Sequence, residues 1–204
     1  EACVKMQTTP ASPVAGGFAG NRDLVYYLTY HYVPYDLGRF SNTLEYSYDD
    51  YTVGQFAKAL GDRDMEKVFS ERGGWWRNAI NTETGYAHLK GSDGKFTEDF
   101  NPFLSGANEE YVEGNSWQLS YFVPQDIPAL AEIMGEKAFV ERLNWGFERS
   151  ELFRYNAPND QYWDYPVVQG NQQSMQFAFL FNWVNHPWLT QNWSRSLMHR
   201  YYGY

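Results

Sequence analysis

The chain has 204 residues, enough for one domain or for a piece of a larger one. A net charge of −9 with no Lys/Arg cluster leaves nothing to neutralise a nucleic-acid backbone, and no apolar run reaches membrane-spanning length. Cys3 is the sole cysteine, which excludes an intrachain disulfide and a thiolate metal site.

Aromatic residues make up 19% of the chain. Tyr and Trp combine a large apolar face with a polar tip, so the excess suits a cleft as well as a core. The chain opens on Glu1 instead of Met, so an upstream segment is expected, and no signal peptide is visible.

Residues 1–23 mix Pro10, Pro13, Gly16, Gly17 and Gly20 with small polar residues and read as loop or linker. Residues 24–35 form an aromatic-aliphatic stretch ended by Pro34, a buried helix or a strand. The next helix is plainer: Ser41 or Asn42 caps it, Glu45 stands where a capping box puts it, and Gly61 closes it. Leu44, Tyr48, Tyr51 and Gln55 lie on one face and Val53, Phe56, Ala57 and Leu60 on another, which predicts a helix packed on two sides. Asp62 or Asp64 opens a further helix with Met65, Val68, Phe69 and Arg72 in register, followed by Trp75, Trp76 and Ala79.

Residues 81–110 carry turn chemistry, with a short hairpin predicted at Asp93-Gly94, and so long a loop in a compact domain reads as functional. Asp126 opens a helix with Ile127, Leu130, Ala131 and Met134, stopped by Gly135; another carries Phe139, Leu143 and Phe147. A loop over residues 156–169 leads to a helix with Met175, Ala178, Phe179, Asn182 and Trp183. Pro187 starts the last helix, with Leu189, Trp193, Leu197 and Arg200 on one side. Helix pairs joined alternately by short and long connections suit an all-α toroid with its long loops at the active-site end.

Two motifs carry the chemistry. Tyr111-Val112-Glu113-Gly114-Asn115-Ser116-Trp117-Gln118 sets a carboxylate beside a Gly-Asn turn, an amide and an indole. Gln169-Gly170-Asn171-Gln172-Gln173 repeats the Gly-Asn-plus-amide design about fifty residues later. An acid, hydrogen-bonding amides and a flat apolar face are what a sugar site requires. Glycosidic bonds are cleaved with two carboxyl groups, one of them a proton donor, and apolar neighbours such as Trp117 and Tyr121 would keep Glu113 protonated. The bland alternative is a Glu that favours the start of the following helix or meets an arginine. Asp49, Asp50, Asp160 and Asp164 are the internal candidates for a second carboxylate, although local hydrogen bonding also accounts for Asp49 and Asp50. His31, His88, His186 and His199 lack metal-ligand spacing, and neither a Gly-x-Ser-x-Gly elbow nor a P-loop is present.

Ser41–Asp50, Tyr111–Gln118, Phe122-Val123-Pro124-Gln125-Asp126 and His186-Pro187-Trp188-Leu189-Thr190-Gln191, in this order, resemble the catalytic domain of the family 92 glycoside hydrolases, calcium-dependent exo-α-mannosidases. The resemblance implies an (α/α)6 helical barrel, incomplete over residues 24–204, that hydrolyses terminal α-mannosidic bonds with inversion. By that resemblance Glu113 would be the general acid, and Asn115, Trp117, Gln169, Asn171 and Gln172 would line the site. Ca²⁺ would bind the sugar hydroxyls, with Asn171 and Gln172 on its side. The remainder of the catalytic domain and a β-sandwich domain would complete the parent protein, secreted or periplasmic. The family's second motif commonly reads His-Gly-Asn-Glu-Pro; Gln169 and Gln172 here replace imidazole and carboxylate by neutral amides, which should weaken a cation site and alter sugar contacts. The family's general base and a Cys-Gly-Gln segment have no counterpart in these residues, so the base is expected from outside them. The alternatives are a non-catalytic carbohydrate-binding homologue and an α/α-barrel glycosidase of other sugar specificity.

Overall fold

The computed structural model describes residues 1–14, 17–103, 110–156 and 165–203. Two compact units make up the chain. One comprises Glu1–Asn81, His88–Phe100 and Glu109–Val112, the other Thr82–Ala87, Asn101–Asn108 and Glu113–Tyr204. Both are built mainly of helices.

The first unit corrects the reading of residues 1–23 as loop. Helix α1 covers Ala2–Thr8, and strands β1 (Ser12–Val14) and β2 (Gly17–Ala19) pair antiparallel with Ser12 opposite Ala19. Pro13 lies within β1, and a two-stranded ribbon tolerates its missing N–H because each strand has a free edge. What holds α1 in place is polar. Gln7 is buried, its amide donates to Asp49 at 3.2 Å, and its carbonyl accepts from Arg72 Nη2 at 2.8 Å. No local pattern could announce partners 42 and 65 residues away.

Helix α2 (Leu24–Tyr30) stops at His31, whose φ of 62° breaks the helix well before Pro34. Helix α3 spans Asn42–Leu60 and ends at Gly61, φ 76°, where a left-handed residue returns the chain toward α4. Its buried face runs through Leu44, Ser47, Asp50, Val53, Gly54 and Ala57, while Phe56 and Leu60 are 57% and 70% exposed. The expected second buried face is therefore absent among the described residues. Gly54 explains the close packing: a Cβ there would meet the Ser70 nitrogen at 3.1 Å, so α3 and α4 (Arg63–Arg72) approach backbone to backbone. Asp62 caps α4 as expected, its carboxylate accepting from the Met65 N–H at 3.1 Å.

Between these helices lies a buried polar knot. Arg72 Nε donates to Asp50 Oδ2 at 2.8 Å, and the Tyr27 hydroxyl donates to the same oxygen at 3.0 Å. Burial, opposed by the Arg72 charge and the Tyr27 hydrogen bond, pushes the Asp50 carboxyl up to about 7. The predicted turn at Asp93-Gly94 is present: Lys90 and Phe96 form an antiparallel bridge around it, and Gly94 has φ 80°.

The second unit is assembled on aromatic packing. Helix α5 (Ser116–Leu119) is one turn long; α6 (Ile127–Met134) begins at Asp126, whose side chain accepts from the Ala129 N–H; α7 covers Glu136–Glu151. Residues 172–184, expected as one helix, are broken into a 3₁₀ turn (Gln172–Gln176), α8 (Phe177–Leu180) and a second 3₁₀ turn (Phe181–Val184). The tighter winding shifts the buried face to Phe177, Ala178, Leu180, Phe181 and Val184, and leaves Met175, Phe179 and Trp183 exposed. Helix α9 (Pro187–Arg200) buries Trp193 and Leu197 as expected, and the Trp193 ring stacks on Phe147 of α7 at 5.2 Å.

Candidate active site

Both sequence motifs lie in the second unit from Glu113 onward, and the structure joins them. Glu113 and Gly114 form the turn that enters α5, and Asn115 is its N-cap. Glu113 has φ 51°, the left-handed region that a non-glycine residue occupies at a cost, and strain of this kind collects where function fixes the backbone. The side-chain amide of Asn171 donates to the Glu113 carbonyl oxygen. That contact ties the second motif to the first across 58 residues.

The amides that sequence reasoning assigned to a sugar are occupied with backbone. Asn115 Oδ1 accepts from the Gln118 N–H at 2.9 Å, while Asn115 Nδ2 and Gln118 Nε2 both donate to the Tyr165 carbonyl, at 3.1 and 2.8 Å. Asn115 has no exposed surface, so its role here is to shape the turn that carries Glu113. Gly114 belongs to the same design: a Cβ there would lie 2.6 Å from Leu119 Cδ2. Only glycine lets the turn close onto α5.

Trp117 is corrected from sugar platform to core. It is 0% exposed and packs on Tyr121, Phe177 and Trp145 with ring centroids 5.0, 6.0 and 6.5 Å away. Its ring lies so close to Gly146 of α7 that a Cβ there would be 2.3 Å from it. With Trp117 and Tyr121 both buried and Glu113 exposed, the expected apolar enclosure of the acid is absent among the described residues. Nor does a described Lys or Arg form an ion pair with Glu113, which removes the bland reading of an arginine-bound carboxylate.

In the second motif Asn171 is buried and Gln172 exposed. Gln169 is 4% exposed; its Nε2 donates to the Tyr202 hydroxyl at 3.2 Å, and its buried Oε1 has no hydrogen-bond partner among the described residues. Gly170 lies under Tyr201, where a Cβ would meet the phenol oxygen at 2.7 Å. These two tyrosines were missed by the sequence reading, and nothing local to residues 201–202 signals them.

The other carboxylates divide cleanly. Asp50 is fully buried against Arg72 and Tyr27, and Asp49 accepts from Gln7, so both act locally within the first unit. Asp160 and Asp164 lie outside the described residues. For a cation, Asn171 and Gln172 offer two neutral amide oxygens, whereas calcium takes about six to eight oxygen ligands, usually including carboxylates. Among the described residues no group of three His, Cys, Asp or Glu side chains could hold a metal ion. The described donors alone do not make a calcium site.

Comparison with known proteins places this arrangement. The family model described as the glycosyl hydrolase family 92 catalytic domain matches residues 1–204. A family GH92 α-mannosidase from Bacteroides thetaiotaomicron, solved in complex with mannoimidazole, superposes with a TM-score of 0.80 at 29% identity, covering 98% of this chain and 27% of that one. The GH92 inverting mannosidase from Bacteroides thetaiotaomicron VPI-5482 gives 0.82 at 25% identity, covering 98% and 28%. An uncharacterized secreted glycosidase of Arthroderma benhamiae is 27% identical over 173 residues, 74% of this chain and 20% of that protein. The chain thus spans about a quarter of the solved relatives and a fifth of the curated one.

Proposed function

The chain belongs to the glycosyl hydrolase family 92 catalytic domain, with the all-α fold of the (α/α)6 toroid class, and on that premise we propose that its protein hydrolyses terminal α-mannosidic bonds with inversion. The observation that carries the proposal is the Glu113 turn. The carboxyl group is exposed at a left-handed residue whose carbonyl is pinned by Asn171, within a chain that superposes almost entirely on two mannosidases. Such an acid donates its proton to the departing glycosidic oxygen as the C1–O bond breaks. In an inverting reaction a water on the opposite face of the sugar attacks C1, activated by a second carboxylate about 6.5–9.5 Å from the first. The base is expected from residues beyond this chain, as the resemblance implies; of the candidates within it, Asp50 is held by Arg72 and Asp49 by Gln7.

The residues of this chain divide the labour. Asn171 holds the backbone of the acid, Asn115 and Gln118 shape the start of α5 beside it, Trp117 anchors α5 in the core, and Gln169 and Gln172 lie beside Asn171 in the second motif. The substrate is a mannoside or glycan. A calcium requirement is carried by the family resemblance; Asn171 and Gln172 would be ligands from this chain, and other residues must complete the set. Export from the cell fits the secreted fungal relative, and no described helix is long and apolar enough to cross a membrane.

The test is Glu113→Gln in the full-length protein, assayed on aryl α-mannosides with NMR detection of the released anomer. The expected results are a loss of about 10²–10⁴ in rate on substrates with poor leaving groups and β-mannose as first product from wild type. Undiminished turnover in the variant refutes the acid assignment. Mannoside binding with no product from wild type points to the non-catalytic homologue, and release of a different sugar from an aryl-glycoside panel points to another specificity. Loss of activity on chelation, restored by calcium, tests the metal.

A further inference from the structure

We propose that the cleft between the end of α7 and the end of α9 is an anion subsite, taking a phosphate or carboxylate carried on the sugar substrate. The proposal rests on the glycoside-hydrolase reading for the nature of the ligand, but the anion binding itself does not. The cleft has a volume of about 240 Å³ and is lined by Phe153, Arg154, Asn156, Arg200 and Tyr201.

The two arginines are held in a particular way. Arg154 Nε donates to the Arg200 carbonyl at 3.0 Å, and Arg200 Nε meets Glu151 Oε1 at 3.0 Å. Each guanidinium thus spends its Nε edge on the protein and keeps the fork of its two terminal nitrogens, the geometry that grips phosphate and carboxylate bidentately. Glu151 answers one of the two charges and also accepts from the Ser196 hydroxyl at 2.6 Å. Among the described residues no carboxylate pairs with Arg154, so of the two guanidinium groups only Arg200 is answered by a described carboxylate.

The backbone that presents Arg154 is strained and braced. Arg154 and Tyr155 have φ of 59° and 56°, two consecutive non-glycine residues in the left-handed region. Each costs on the order of 1–3 kcal/mol and persists only where the surroundings impose it. Here they do. Tyr155 is fully buried, its N–H donates to Ser150 O, its carbonyl accepts from the Gln169 N–H, and its hydroxyl bonds Ser196 at 2.6 Å. A residue retained at such a cost with its charged end in a cleft is a clamp in form. The cleft also adjoins the candidate active site within the same unit: Tyr201 lies against Gly170, and Gly170 precedes the Asn171 that fixes Glu113.

The experiment titrates inorganic phosphate, and separately acetate, into the full-length protein, with calorimetry and thermal shift as readouts. Wild type, Arg154→Gln, Arg200→Gln and the control Arg149→Gln are compared. Arg149 stacks on Phe153 outside the cleft, at 5.5 Å from that ring, and should behave as wild type. The expected result is saturable binding of at least one anion, weakened about tenfold or more in Arg154→Gln and in Arg200→Gln. Phosphate binding without acetate identifies a phosphorylated sugar, and the reverse a carboxylated one. No saturable binding of either anion, or equal weakening in Arg149→Gln, overturns the proposal. Activity of Arg154→Gln on an uncharged aryl mannoside should stay at the wild-type level. Loss of anion binding with that activity intact separates the subsite from the hydrolase reading.

Discussion

Gly146→Ala is a sharp test of the packing that positions the candidate acid. Gly146 lies within α7, where replacing glycine by alanine should by helix propensity alone stabilise by about 0.8–1.0 kcal/mol. The structure says otherwise. The new Cβ would stand 2.3 Å from two atoms of the Trp117 ring and 3.3 Å from Pro166 Cβ. Carbon atoms pack at about 3.5–4.0 Å, so the overlap exceeds 1 Å. Trp117 cannot step aside, because it is 0% exposed and enclosed by Tyr121, Phe177 and Trp145. Overpacking a full core costs about 1–3 kcal/mol, and a clash with a rigid ring belongs at or above the upper end, so the net loss should be about 2 kcal/mol. For a chain of this size that lowers Tm by roughly 4–8 °C. The displaced ring would carry α5 with it, and with α5 the turn of Glu113, so near-UV dichroism should change and activity should fall. Urea denaturation followed by tryptophan fluorescence gives the energy. The double variant Gly146→Ala/Trp117→Leu should lose less stability than the two single losses added together, since the shorter side chain vacates the volume. A Gly146→Ala protein as stable as wild type, with strict additivity in the double variant, would refute the packing argument.

Two further outcomes follow from hydrogen bonds and charge. Asn171→Asp keeps the size of the side chain but removes the N–H that holds the Glu113 carbonyl, so it should cost about 1 kcal/mol in stability and lower kcat more than it raises KM; unchanged kcat would count against Asn171 as a brace for the acid. Asp50 has a folded-state pKa of about 7, above the ordinary carboxylate value, so the folded protein keeps this proton to higher pH than the unfolded chain does. Its contribution is complete below about pH 4 and is lost as pH rises through 7. Denaturation midpoints at pH 5 and pH 7.5 should therefore differ more in wild type than in Asp50→Asn, and identical pH slopes would contradict the assignment.

Several local signals were well placed where one residue decides one backbone event. The capping box expected at Ser41 or Asn42 is not formed: α3 has no side-chain cap hydrogen bond, and Ser41 and Asn42 bond Val112 and Asp23 instead. Asp62 and Asp126 cap the helices they were expected to cap, Gly61 and Gly135 end theirs with φ of 76° and 79°, and Gly94 turns its hairpin. These depend on a few neighbours and a single dihedral angle, which sequence encodes directly. The misjudged elements share another character. Helix α1 forms because Gln7 meets Asp49 and Arg72, and residues 172–184 broke into 3₁₀ turns around α8 that a four-residue apolar spacing cannot reveal.

The site divides along the same line. Sequence by itself singled out Glu113 as the candidate acid, set its motif beside the one at Asn171, and through the resemblance identified the family. Only the tertiary structure decided what each neighbour does. It buried Trp117 in the core, turned Asn115 and Gln118 onto the Tyr165 carbonyl, and brought Tyr201 and Tyr202 to the Gln169-Gly170 turn. The physical reason is that burial and hydrogen-bond partnership are properties of what lies across space. An amide or an indole has the same covalent structure whether it meets a sugar or the protein's own backbone.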